Sequence, residues 1–76
     1  MDKHYKEYIQ IGLNIMRYRK EQGLTQEQLA EMTGYSQNHI QRVETANSKP
    51  TVGLLLDVSK ALSVPIELLL EIRQRS

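Results

Sequence analysis

Between Gln26 and Glu44 the chain reads QEQLAEMTGYSQNHIQRVE, and the spacing of five small or apolar residues in it leaves little choice of structure. Counted from Gln26, Leu29 and Ala30 stand fourth and fifth, Gly34 ninth, Ile40 fifteenth and Val43 eighteenth. Thr25 and Ser36 each precede a helical stretch, and their hydroxyls can accept from the free N–H groups of a first turn. Gln28, three residues after Thr25, completes a capping-box pattern. Gly34 can adopt positive φ, which a turn of three to four residues needs. The stretch therefore predicts helix, tight turn, helix. Ala30 is small because the two helices cross closely there, and Leu29, Ile40 and Val43 lock the second helix across the first.

The rest of the chain has to complete a core around that unit. Seventy-six residues allow one modest domain. There is no cysteine, Phe or Trp, so Leu, Ile, Val and four Tyr must fill the interior. Gly23, Gly34, the stretch 46–50 and Ser63-Val64-Pro65 divide the sequence into five segments of helical period. The first runs from about Lys3 to Gln22, with Tyr8, Ile11, Ile15, Tyr18 and Gln22 on one stripe. The fourth opens with Thr51 after Pro50 and carries Val52, Leu55, Val58 and Leu62; Gly53, a poor first-turn residue, predicts a loose start. The fifth starts near Pro65 and carries Ile66, Leu69 and Leu70. The expectation is an all-α, compact five-helix domain spanning 1–76, with 1–10 extending the first helix and 71–76 forming a polar tail.

Several classes drop out. A chain without cysteine has no disulfide framework or thiolate metal site. His4 and His39 lack a second ligand at metal spacing, and His39 is expected as an edge-packing or phosphate-contacting residue. No nucleophile–base or carboxylate pair suggests catalysis, so neither an enzyme nor a cofactor is expected. The start, MDKHYKEY, lacks a signal peptide's apolar run. The longest apolar runs, 54–56 and 68–70, are far too short for a membrane span. A soluble, cytoplasmic protein with no evident small-molecule effector site is expected. Net charge is +1, which permits nucleic-acid binding without arguing for it.

The third segment carries the chemistry. With Gln37 at 0° and 100° per residue, Gln41 falls at about 40°, Thr45 at about 80°, Asn38 at about 100° and Arg42 at about 140°. Ile40, Val43 and Glu44 lie on the opposite, apolar side. Gln and Asn side chains can hydrogen-bond adenine N6/N7 bidentately, and Arg guanine O6/N7. The same face would equally serve an ordinary solvated helix. Arg19, on the inward stripe of the first helix, and Glu44, on the inward edge of the third, are expected to pair and orient the third helix.

The Gln26–Glu44 pattern resembles the helix-turn-helix of the lambda-repressor-like (Cro/XRE) family. Upstream, Ile11-Gly12, Ile15, Arg19 and Gly23-Leu24-Thr25-Gln26 extend the resemblance. Downstream, Lys49-Pro50-Thr51, Leu55, Ala61-Leu62, Val64-Pro65-Ile66 and Leu69-Leu70 carry it to about residue 70. The resemblance implies a cytoplasmic bacterial or phage transcriptional regulator, most simply a repressor, that binds a double-stranded DNA operator. Gln37 and Asn38 would read bases, with Gln41 and Arg42 as further readers or phosphate partners. Gln26 would meet a phosphate at the start of the second helix, with Thr45 and Lys49 as further DNA contacts. The Arg19–Glu44 pair is also a family feature. Where family members often carry Asn-Gly after the glutamate, Thr45-Ala46 stand here, which moves the expected turn to Asn47. An antitoxin or restriction-controller role, and an interaction module that has lost DNA binding, are the alternatives.

Apolar residues are in surplus. Ile9, Leu13 and Met16 form a second stripe on the first helix, and Leu13, Met16, Leu54 and Leu68 stand where family members often carry polar residues. An exposed apolar patch marks a partner surface. A homodimer is expected through the fifth helix and tail, with Leu68 and Ile72 as candidates. The other reading is a thicker core, with Ile9, Leu13 and Met16 covered by the fifth helix.

Overall fold

The computed structural model describes residues 2–73. Five helices form among them: α1 (Tyr5–Glu21), α2 (Gln26–Thr33), α3 (Gln37–Glu44), α4 (Val52–Leu62) and α5 (Ile66–Leu69). No strand occurs among the described residues.

Each start and stop has a local cause. The Thr25 hydroxyl accepts from Gln28 N at 3.0 Å while the Gln28 side chain accepts from Thr25 N at 2.8 Å, closing the capping box of α2. The Ser36 hydroxyl accepts from His39 N to start α3. Gly34, at φ 80°, ends α2 in the left-handed region. The turn after α3 falls at Ala46, φ 61°, and not at Asn47 as the sequence suggested. Ala46 N donates to Val43 O and Asn47 N to Arg42 O. These two bonds make a Schellman closure, which fixes the left-handed residue one position past the cap. The loose start expected from Gly53 is also absent. Thr51 accepts from Leu54 N at 3.0 Å, and this cap holds the first turn of α4.

The core is a single cluster centred on Ile15, Leu29, Ile40, Leu54, Val58 and Leu69. Leu54, read from the sequence as surplus, is fully buried, because α4 turns its 54/55/58/62 face inward onto the other helices. Gly12 sets how closely α1 approaches the end of α3. A Cβ there would lie 2.6 Å from both Val43 O and Glu44 O, so only glycine fits. The one-turn α5 is held against α1 by Asn14. Its buried amide donates to Leu69 O at 2.9 Å and Glu71 O at 2.8 Å, satisfying carbonyls that a helix end leaves open.

The α1–α5 contact leaves part of the second stripe uncovered. Ile9 and Leu13 remain 37% and 48% exposed, whereas Met16 is half-buried. The thicker-core reading therefore fails for Ile9 and Leu13. No helix among the described residues is long and apolar enough to cross a membrane.

Candidate nucleic-acid interface

α3 lies across α2 with Ile40 and Val43 buried, and this rotation decides what faces outward. Gln37, Asn38, Gln41 and Arg42 are all exposed on one side of the helix, and Thr45 continues that side at its C-cap. The Thr45 hydroxyl donates to Gln41 O at 2.9 Å and accepts from Asn47 Nδ2 at 3.0 Å. Arg42 reaches along the same edge to Asn47 O at 3.4 Å. The polar face of α3 thus runs without a break into the loop that carries Lys49.

The electrostatics of that face follow from one burial. The single acidic residue of α3, Glu44, is turned inward with its side chain fully buried. Arg19 meets it in a fork: Nε donates to Oε2 at 2.6 Å and Nη2 to Oε1 at 3.0 Å. The third guanidinium nitrogen, Nη1, donates to Leu24 O at 2.7 Å. Gln26 adds a further donor to Glu44 Oε1 at 3.0 Å. The pair thereby clamps α1, the start of α2 and the end of α3 together, and the outward face of α3 keeps Arg42 as its formally charged group.

Two residues expected at the interface are engaged by partners within the chain. Gln26 turns its amide N–H onto Glu44, so its donor points into the clamp in the unbound protein. Lys49 Nζ sits 2.7 Å from Asp2 Oδ2. That contact lowers the Asp2 carboxyl below its ordinary value and raises the Lys49 ammonium above its own, in each case chiefly through the hydrogen bond between them. Sequence periodicity carries no signal for a surface pair so distant along the chain. His39 stacks on Tyr35 with ring centroids 5.3 Å apart, and Tyr35 donates to Asp57 Oδ2 at 2.9 Å. This hydrogen bond raises the Tyr35 hydroxyl above its ordinary value and ties the turn between α2 and α3 to α4. Among the described residues no group of three or more His, Asp or Glu could hold a metal ion. Of the two residues expected at a dimer contact, Leu68 is 38% exposed, whereas Ile72 packs against the core of its own chain.

Comparison with known proteins gives a consistent result. Residues 15–69, more than half of the chain, match the helix-turn-helix family. An uncharacterised HTH-type transcriptional regulator, y4dJ, of Sinorhizobium fredii is 39% identical over 54 residues, covering 71% of this chain and 70% of that protein. Among solved structures, the restriction-modification controller protein C.AhdI from Aeromonas hydrophila superposes with a TM-score of 0.85 at 25% identity, over 90% of this chain and 99% of that one. The P22 c2 repressor protein, solved in complex with the synthetic operator 9T, gives a TM-score of 0.74 at 33% identity, over 80% of this chain and 92% of that one. The clp gene regulator ClgR from C. glutamicum shares the fold, with a TM-score of 0.79 at 23% identity over 91% of this chain and 87% of its own.

Proposed function

The chain belongs to the helix-turn-helix family of Cro and lambda-repressor type and is a DNA-binding transcriptional regulator, and from that premise we propose that it is a repressor whose α3 reads the major groove. The observation that carries this reading is the composition of one helix face. Gln37, Asn38, Gln41 and Arg42 stand exposed together, with Glu44 withdrawn into the core. An α-helix fits the major groove of B-DNA, where these side chains meet base edges. Gln37 and Asn38, in the first turn, are assigned to bases. Gln41 and Arg42 read further bases or hold phosphates. Thr45 and Lys49 flank them on the backbone. Gln26 meets a phosphate through rotation of its amide, while the Arg19–Glu44 clamp holds α3 at its angle.

The regulator is a homodimer in this proposal, with Leu68 and the exposed Ile9 and Leu13 as candidate contacts. Two copies would present their α3 helices to half-sites about one helical turn apart, roughly 34 Å. It works in the cytoplasm, on the nucleoid. The alternatives raised from sequence are not favoured. The controller protein superposes more closely, but the P22 c2 repressor protein is the more similar of the two in sequence, so likeness does not single out a controller role. The match to a family and a relative of transcriptional regulators weighs against an interaction module that has lost DNA binding.

Selection of bound sequences from a random duplex pool tests the proposal. Enrichment of a paired motif, with affinity that falls steeply as salt rises, is the expected result. A pool that stays unenriched at low salt removes sequence-specific binding.

A further inference from the structure

Asp2 is a charged surface residue that the proposed DNA contacts leave unexplained, and it is bonded to one of them. It stands two residues before His4 at the start of α1, among Lys3 and Lys6. Its carboxylate makes two bonds with different consequences. Oδ1 accepts from His4 N at 2.8 Å, which closes the turn into α1. Oδ2 accepts from Lys49 Nζ at 2.7 Å, which reaches across to the loop after α3. The Lys49 side chain is 68% exposed and that of Asp2 26% exposed, so the contact sits at the surface, open to a competing anion.

The loop is continuous with the proposed reading face. Asn47 joins it to both Thr45 and Arg42 by hydrogen bonds. A duplex laid against α3 brings its phosphates to the edges of the groove, where Lys49 is placed to meet one. We propose that Asp2 is an intramolecular competitor for that phosphate: its carboxylate occupies Lys49 in the free protein and must be displaced when DNA binds. The inference rests on the DNA-binding reading of α3. Its effect is on backbone affinity, so it attenuates binding to all sequences alike. An exposed ion pair is a weak latch, and its release is worth a few-fold in affinity.

Asp2→Asn isolates the charge. Asparagine keeps the oxygen that accepts from His4 N and removes only the anion facing Lys49. The test uses four full-length proteins: wild type, Asp2→Asn, Lys49→Gln and the double variant. Each is titrated onto a fluorescein-labelled duplex of random sequence and onto one enriched from a random pool, across a salt series. Asp2→Asn is expected to tighten both duplexes by about two- to five-fold at low salt, a gain that shrinks as rising salt screens the ion pair. Lys49→Gln weakens binding, and adding Asp2→Asn to it changes nothing further. A gain from Asp2→Asn that persists unchanged in the Lys49→Gln background is a general charge effect and overturns the latch. So does an Asp2→Asn protein that binds as wild type does. Failure of the wild type to bind either duplex at low salt overturns the DNA-binding reading itself, and the latch with it.

Discussion

At the scale of single residues, Glu44 carries the most. Its carboxylate accepts from Arg19 twice and from Gln26 once while fully buried. Glu44→Ala leaves the Arg19 guanidinium buried without its partner, a change that typically costs about 3–5 kcal/mol. The unfolding free energy from urea titration should fall accordingly; a loss under about 1 kcal/mol would mean that water reaches Arg19 freely. The Asp2–Lys49 pair gives a milder, pH-dependent prediction. The Asp2 carboxyl lies below its ordinary 3.8 because of the Lys49 hydrogen bond. Its folded value is thus depressed, so the pair's contribution is present above the ordinary carboxylate range and is lost as pH falls through the lowered value. Carbon-detected NMR titration should show a low Asp2 midpoint that returns toward 3.8 in Lys49→Gln. Arg19 and Glu44 were legible as a pair because both fall on inward edges of helices whose periodicity is plain. The bonds of Gln26 and Lys49 were not, since each depends on a partner brought near by the fold and leaves no periodic trace.

At the scale of elements, helix ends and helix approaches decide the geometry. The capping residues Thr25 and Ser36 were readable because capping is local chemistry, whereas the cap at Thr51 was missed and Gly53 was read as a loose start instead. The turn after α3 was misplaced by one residue. Ala46 takes the left-handed conformation because the Schellman bonds around it outweigh the penalty of its Cβ. Ala46→Gly removes that penalty and should stabilise the protein by about 1 kcal/mol, visible as a higher thermal midpoint. A lower midpoint would show that the flexibility of glycine in the unfolded chain dominates instead. Gly12 acts in the opposite sense. Its absent Cβ lets α1 rest on the carbonyls of Val43 and Glu44, each 2.6 Å from where a Cβ would stand. Gly12→Ala must push α1 from the end of α3 and is expected to destabilise the domain by about 1–3 kcal/mol or more. The same unfolding assay checks it, and an unchanged midpoint would refute the close approach. Glycine's role there was visible in the sequence only through resemblance, since nothing local marks a helix position that another helix's backbone touches.

At the scale of the whole molecule, the fold was legible in order and class, because five short, periodic segments without cysteine have few ways to share one core. How the surplus apolar residues divide was not. Leu54 went inside, while Ile9, Leu13 and Leu68 stayed out, and that partition depends on how α4 and α5 rotate against α1. If the exposed set forms a subunit contact, Leu13→Glu or Leu68→Glu should shift the sedimentation of the protein from dimer to monomer at micromolar concentration. A wild type that sediments as a monomer both free and on DNA would remove the dimer. The central claim is that α3 reads bases through its outward polar face, and the direct measurement is a base-by-base affinity profile. Wild type and Gln37→Ala would be titrated onto a selected operator and its single-base-pair variants at fixed salt. Gln37→Ala is expected to lose about 1–3 kcal/mol of discrimination at one base pair and to keep its preference elsewhere. A profile that is unchanged, or that weakens equally at every position, would contradict base reading by this helix.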